Sequence, residues 1–283
     1  MDQAEQLRII KANNQIRPTA RVITVTSGKG GVGKSNMSIN LAIQFRKMGK
    51  RVIILDADFG LANIEIMFGA IPKHNLCDLV YEGKSISDII TWGPMEVGFI
   101  SGGSGIAGMS NLGKDALTCI IQNLAELDAL TDIIIVDTGA GISDSVLEFL
   151  VASGEVLLVT TPEPTSIKDF TKVMMVANRV SNIKEGQVLF DKLNAVVTRY
   201  LKIPMTYMGC VPQDPQVMQA VMQQVPVSIQ NPGAKASQAY QRIAERMCEK
   251  EDDTAQEQQP RRGMAAFFSH IIGTRNGATK QSR

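Results

Sequence analysis

Short apolar, β-branched runs recur along this chain, and several end at glycine or aspartate. Val22-Ile23-Thr24-Val25-Thr26, Val52-Ile53-Ile54-Leu55, Ile133-Ile134-Ile135-Val136 and Val156-Leu157-Leu158-Val159-Thr160-Thr161 show no alternation of polar and apolar positions. Such runs fit strands buried on both faces, as in a parallel sheet. Between them the spacing turns helical: Ile39, Ala42, Ile43 and Phe45, then Leu117, Ile120, Ile121, Leu124 and Leu127. Gly186 to Leu201 reads as a further helix, Met205 to Val211 as the last strand, and Pro232 to Lys250 as the final domain helix. Strands alternating with helices predict an α/β fold: a doubly wound, mostly parallel sheet flanked by helices.

The remaining pattern is weaker. Asn75 to Glu82 and Ser85 to Thr91 read as short helices, and Gly98-Phe99-Ile100 as a strand. Gly102 to Gly108 is glycine-rich but lacks a strand-to-helix setting, so no phosphate role is assigned to it. Residues 162–180 admit two readings. Val173 to Ala177 is a strand after a crossover of only about eleven residues, near the lower limit for a parallel connection. Alternatively Ser166 to Val180 is a helix, with Ile167, Phe170, Met174 and Ala177 on one face. At the start of the chain, Asp2 to Lys11 is a short amphipathic helix and Asn13 to Thr19 a linker. At the other end, Glu249 to Pro260 is acidic and Gln-rich, without apolar periodicity. Met264, Phe267, Phe268, Ile271 and Ile272 then form one helical stripe flanked by Arg261, Arg262 and Arg275. A basic-ended amphipathic helix suits a membrane interface, and a helix folded back on its own domain or bound to a partner has the same pattern. The expected organisation is a partner-binding element and linker over 1–19, a domain over 20–248, a linker over 249–260 and a membrane-targeting tail over 261–283.

Chemistry concentrates after the first strand. Gly28 to Ser35 fits G-x-x-x-x-G-K-[ST] in full, between a strand and a helix. In such a P-loop the amides of Gly28, Lys29, Gly30, Gly31, Val32 and Gly33 surround phosphate oxygens, Lys34 reaches the terminal phosphates, and Ser35 ligates Mg²⁺. A nucleotide with β- and γ-phosphates and Mg²⁺ are the expected substrate and cofactor; ATP in particular is what the resemblance described below implies. Asp56 and Asp58 close the second strand, Asp56 to support the Mg²⁺ shell and Asp58 to orient the attacking water. Asp137 closes the strand that begins at Ile133 and would hold Mg²⁺ through a water.

With 283 residues, 44% of them hydrophobic, the chain can bury a large core, and a net charge of +1 gives no footprint for wrapping nucleic acid. Cys77, Cys119, Cys210 and Cys248 are scattered, and only His74 and His270 could supply imidazoles, which argues against disulfide or zinc sites. No signal peptide or membrane-length apolar run is evident, so a cytoplasmic protein is expected.

Lys29-Gly30-Gly31-Val32-Gly33-Lys34-Ser35 resembles the deviant Walker A of the MinD/ParA family. That resemblance implies a nucleotide-sandwich homodimer on ATP, in which Lys29 crosses to the partner's phosphates. It makes Asp56-Ala57-Asp58 a switch I with Asp58 at the catalytic position, and Asp137 to Gly141 a switch II. It also implies adenine contacts from Asn178 and Arg179, and from Asp214, which reads equally as the N-cap of a helix through Val217, Ala220 and Val221. Within the family, Asp2-Gln3-Ala4-Glu5-Gln6-Leu7-Arg8 resembles the D-Q-A-x-x-L-R element of flagellar number regulators of the FlhG (FleN) type. Gly60-Leu61-Ala62-Asn63 and Glu163-Pro164-Thr165-Ser166-Ile167 resemble further stretches of that branch, where an alanine usually stands at Gly139. The implied function is a slow ATPase that dimerises on ATP, binds membrane reversibly and sets flagellar number and placement. Its implied partners are an FlhF-like GTPase, through Asp2, Gln3, Ala4, Leu7 and Arg8, and flagellar transcription or assembly factors. Rival readings are a MinD-type division-site regulator, a ParA-type DNA partitioner and an ATP-gated scaffold without turnover. Iron-protein relatives are disfavoured because their cysteine ligands are absent.

Overall fold

Buried apolar runs become the strands of a single sheet. A computed structural model describes residues 19–58, 63–103, 123–141, 146, 149–150, 152–161, 173–201, 204–254, 263–264 and 267. Among these, eight strands assemble: β1 (Arg21–Thr26), β2 (Val52–Ala57), β3 (Thr91–Trp92), β4 (Gly98–Ile100), β5 (Ile133–Thr138), β6 (Glu155–Thr160), β7 (Val173–Val180) and β8 (Met205–Pro212), ordered β3-β4-β2-β5-β1-β6-β7-β8. All pairings are parallel except the short β3 on β4 at one edge. Strands β1, β2 and β5 are buried at every position, their apolar runs as expected and with them the polar Arg21, Thr24, Asp56 and Asp137. The chain moves outward from β1 to one edge, returns to β5, and crosses β1 to continue through β6, β7 and β8. That reversal beside β1 puts the crevice of a doubly wound sheet at its carboxyl end.

Helix α1 (Lys34–Lys47) lies against one face, with every residue from Met37 to Phe45 buried, and α2 (Asn63–Phe68) adds Ile64 and Phe68 to the same core. Helix α1 is covered in turn by α8 (Val227–Gln230), through Val227, and α9 (Lys235–Thr254), through Ala236, Ala239, Tyr240, Ile243, Ala244 and Met247. The opposite face carries α3 (Leu76–Tyr81), α4 (Ile86–Ile89) and α5 (Leu127–Leu130). Asn75 and Ser85 start α3 and α4 with reciprocal capping boxes to Asp78 and Asp88, which lets such short helices hold.

Of the two readings of 162–180, the strand is the one found over Val173–Val180, and 162–172 lie outside the described residues. β7 lies between β6 and β8, where both faces of Val173 to Asn178 are buried. Helix α6 (Ile183–Leu201) then packs over it, beginning three residues before Gly186. Helix α9 runs on to Thr254, so its end overlaps the acidic stretch 249–260.

The tail departs most from the expected picture. Met264 and Phe267 are 0% and 1% exposed and join a core cluster with Leu76, Leu79, Leu124, Leu127 and Phe149. The Phe267 ring lies over Phe149 at 5.9 Å, with 26° between the planes. The Met264 N–H donates to Asp128 Oδ1 at 2.9 Å, so α5 caps the tail. A side chain at Gly263 would have to displace the Asp128 carboxylate. These two positions of the stripe therefore face the protein's own core, since fully burying an apolar side chain is worth about 1.5–3 kcal/mol. Phe268, Ile271 and Ile272 lie outside the described residues, as do Asp2, Gln3, Ala4, Leu7 and Arg8.

Candidate functional site

The loop between β1 and α1 has the shape its glycines permit. Gly31 and Gly33 have φ of 74° and 96°, and Gly33 is the N-cap of α1. Ser27 Oγ donates to the Lys29 carbonyl at 2.8 Å, closing the turn at its base. The Lys29 side chain is exposed at the mouth, whereas Lys34 is buried, with 8% of it exposed. Burial lowers the Lys34 pKa, opposed by the charges of Asp137 and Asp58. Lys34 thus stands within the field of both carboxylates.

Asp56 and Asp137 are register partners on β2 and β5, so two carboxylates meet in the buried crevice. Asp56 accepts the Asp58 N–H at 3.1 Å. Its pKa is pushed up to about 8, first by burial and then by the charge of Asp137, against backbone N–H groups of Asp58 and Ile64. Asp137 is pushed up to about 6 by burial, opposed by the neighbouring hydroxyls of Ser35 and Ser38 and by Lys34. Ser38 Oγ donates to Asp137 Oδ1 at 3.0 Å. Asp137 Oδ2 is buried without a partner among the described residues. A buried carboxylate oxygen left bare beside a serine hydroxyl is the hard oxygen donor set a Mg²⁺ ion takes. Ser35 and Asp137 would hold that ion, with Asp56 behind them.

Switch II folds back over the loop. Thr138 Oγ1 donates to the Val25 carbonyl at 3.0 Å, and the Gly141 N–H to that of Ser27 at 3.1 Å. A Cβ at Gly139 would lie 3.6 Å from Asp58 Oδ1, an ordinary contact. The backbone at Gly139 therefore has room for an alanine side chain as well.

Asn178 and Arg179 stand at the end of β7, and Asn178 touches the loop, donating from Nδ2 to the Val32 carbonyl at 2.7 Å. Asp214 takes the capping alternative. Its Oδ1 accepts the Gln216 N–H and its Oδ2 the Ala236 N–H, both at 3.0 Å, so its carboxylate starts α7 (Pro215–Met222) and binds the first turn of α9. Sequence reasoning missed two members: Ser38, which sits one turn below Ser35 on α1, and the brace from Asn178. The i, i+3 spacing of Ser35 and Ser38 was a legible signal for the first. The second joins residues 146 apart, and nothing local announces it.

Comparison with known proteins agrees with this geometry. Residues 18–248 match the family described as ParA: NUBPL iron-transfer P-loop NTPase. The antiactivator FleN of Pseudomonas aeruginosa is 38% identical over 240 residues, covering 80% of this chain and 86% of that protein. The flagellum site-determining protein YlxH of Helicobacter pylori is 32% identical over 265 residues, covering 89% and 90%. Among solved structures, the septum site-determining protein MinD of Pyrococcus horikoshii OT3, complexed with Mg-ADP, superimposes with a TM-score of 0.62 at 20% identity, covering 82% of this chain and 97% of that one. The P-loop on β1, the paired acids of β2 and β5 and these matches lead to one conclusion: the chain belongs to the ParA/MinD family of P-loop NTPases.

Proposed function

We propose that this protein is a Mg²⁺-dependent ATPase that dimerises on ATP and regulates the number or placement of flagella. The observation that carries the ATPase reading is the convergence of Lys34, Asp58 and Asp137 on one crevice, with Asp137 Oδ2 bare. The loop amides and Lys34 bind the β- and γ-phosphates, and Asp58, beside switch II, orients the attacking water. Mg²⁺ held by Ser35 and Asp137 supplies charge neutralisation at the phosphates when bound. Lys29 is exposed, which supports the reading that it reaches a second protomer in a sandwich dimer. The flagellar output rests on the names of the relatives, an antiactivator and a flagellum site-determining protein. Together with the Asp2 to Arg8 element, they support an FlhF-like GTPase and flagellar transcription or assembly factors as partners.

Membrane binding by the tail belongs to the same reading, with a condition added by the fold. Met264 and Phe267 must leave their core cluster before they can enter a lipid interface, so docking and membrane binding compete. A dimer carrying two tails would gain avidity, making association with the cytoplasmic membrane dependent on ATP.

The test is steady-state ATP hydrolysis by Asp58→Ala protein. The expected result is a fall of about a hundredfold with Mg-ADP binding retained. Hydrolysis at the parent's rate overturns the assignment of the water-orienting group. ADP binding without turnover in the parent itself would favour an ATP-gated scaffold.

A further inference from the structure

Asn178 is 5% exposed and closes β7 where the strand becomes irregular. The register of β7 on β8 shifts between Asn178 and Val180, and Arg179 between them has φ of +56°. A bulge of this kind re-aims a side chain. Here it presses the Asn178 amide onto the phosphate loop: Nδ2 donates to the Val32 carbonyl at 2.7 Å, and a Cβ on Gly33 would lie only 2.6 Å from that nitrogen. Val32 and Gly33 immediately precede Lys34.

We propose that Asn178 is a positioning residue for the phosphate loop, fixing the peptide between Val32 and Gly33 and so strengthening the grip on phosphates whether or not a base is present. The inference rests on the nucleotide reading above and deepens it. In a trans peptide the N–H points opposite to the C=O, and the described residues contain no cis bond. Pinning the Val32 oxygen toward β7 therefore fixes the Gly33 N–H in the opposite direction. Without the pin this peptide, bordered by a glycine with φ of 96°, is free to rotate and turn its carbonyl toward the anion. A brace of this kind pre-orders a donor that anion binding would otherwise have to order.

The test separates a brace from a base contact by using a probe that has no base. Titration calorimetry compares Mg-tripolyphosphate and Mg-ADP on parent and Asn178→Ala protein. Hydrogen exchange follows the Gly33 and Lys34 amides without ligand. The brace predicts tripolyphosphate affinity lower by roughly threefold to tenfold, the range of one neutral hydrogen bond. It also predicts faster exchange at those two amides, with β1 and β5 exchanging as in the parent. Unchanged exchange, with weakening confined to ADP, overturns the proposal and leaves Asn178 as a base contact only. Where the alanine variant does not fold, Asn178→Asp keeps the volume without the N–H, and its exchange decides. A parent that binds neither ADP nor tripolyphosphate sinks the nucleotide reading, and the brace with it.

Discussion

At the carboxyl ends of β1, β2 and β5 the buried groups are Lys34, Asp56 and Asp137; around Asp128 they are Met264, Phe267 and Phe149. The first set is charged, and burial works against it: the Lys34 pKa is lowered while those of both aspartates are raised. The second set is apolar, and burial is its own reward, completed by one hydrogen bond from Met264 to Asp128. A site built the first way is under-compensated until an ion and phosphates arrive. A contact built the second way is satisfied without any ligand and must be displaced to do anything else. The phosphate-loop end is thus built to gain from a ligand, while the tail contact is complete as it stands.

The sharpest way to break this comparison is to remove a charge from the first region. Lys34→Ala is expected to lower ATP hydrolysis by at least about a hundredfold, since a preorganised cation on developing phosphate charge is lost. Lys29→Ala should still bind ATP but fail to form the ATP-dependent dimer in light scattering behind size exclusion. Parent-like turnover in the Lys34 variant would mean that the buried charges do not serve a nucleotide.

Next in size is the pH dependence of the ligand-free protein. A carboxyl whose folded pKa lies above its unfolded value binds more protons folded than unfolded, so stability falls as pH rises between the two. For Asp56 that window runs from 3.8 to about 8, and Asp137 contributes up to about 6. Asp56→Asn keeps an acceptor for the Asp58 N–H, gives up the one that faces the Ile64 N–H, and removes the titration. Near the top of that window its melting midpoint should exceed the parent's by roughly 2–4 °C for each kcal/mol recovered, and the gain should vanish toward the bottom. Saturating Mg²⁺ should narrow the difference. Equal midpoints across the window would show that the paired acids carry no burial penalty.

What was legible in the chain follows the same division. Gly28 to Ser35, Asp56, Asp58 and Asp137 were readable because each sits at the end of a strand whose apolar run announces itself locally. β7 stayed ambiguous because Val173 to Val180 satisfies a strand's composition and a helix's spacing alike, and only its neighbours β6 and β8 decide. Asp214 carried two local meanings, and the arrival of the α9 N-terminus at its second oxygen favoured capping. The tail stripe was read correctly as apolar, yet nothing near it in sequence records that Phe149 and Asp128 wait more than a hundred residues upstream.

The smallest effect probes the second region. An N-cap lost to alanine costs about 1 kcal/mol, so Asp128→Ala should shift the docked tail toward release by roughly fivefold. The variant keeps Met264, Phe267 and the rest of the stripe, so sedimentation with anionic vesicles should rise by a similar factor without nucleotide. Asp128→Asn separates the cap from the charge. Its carbonyl oxygen still accepts the Met264 N–H, and it carries the same charge as the alanine variant, so it should sediment like the parent. If Asn and Ala variants rise together, the charge of Asp128 and not its cap governs the tail. If neither rises, docking through Met264 and Phe267 does not oppose membrane binding, and the two regions are not the contrasting pair that their burial describes.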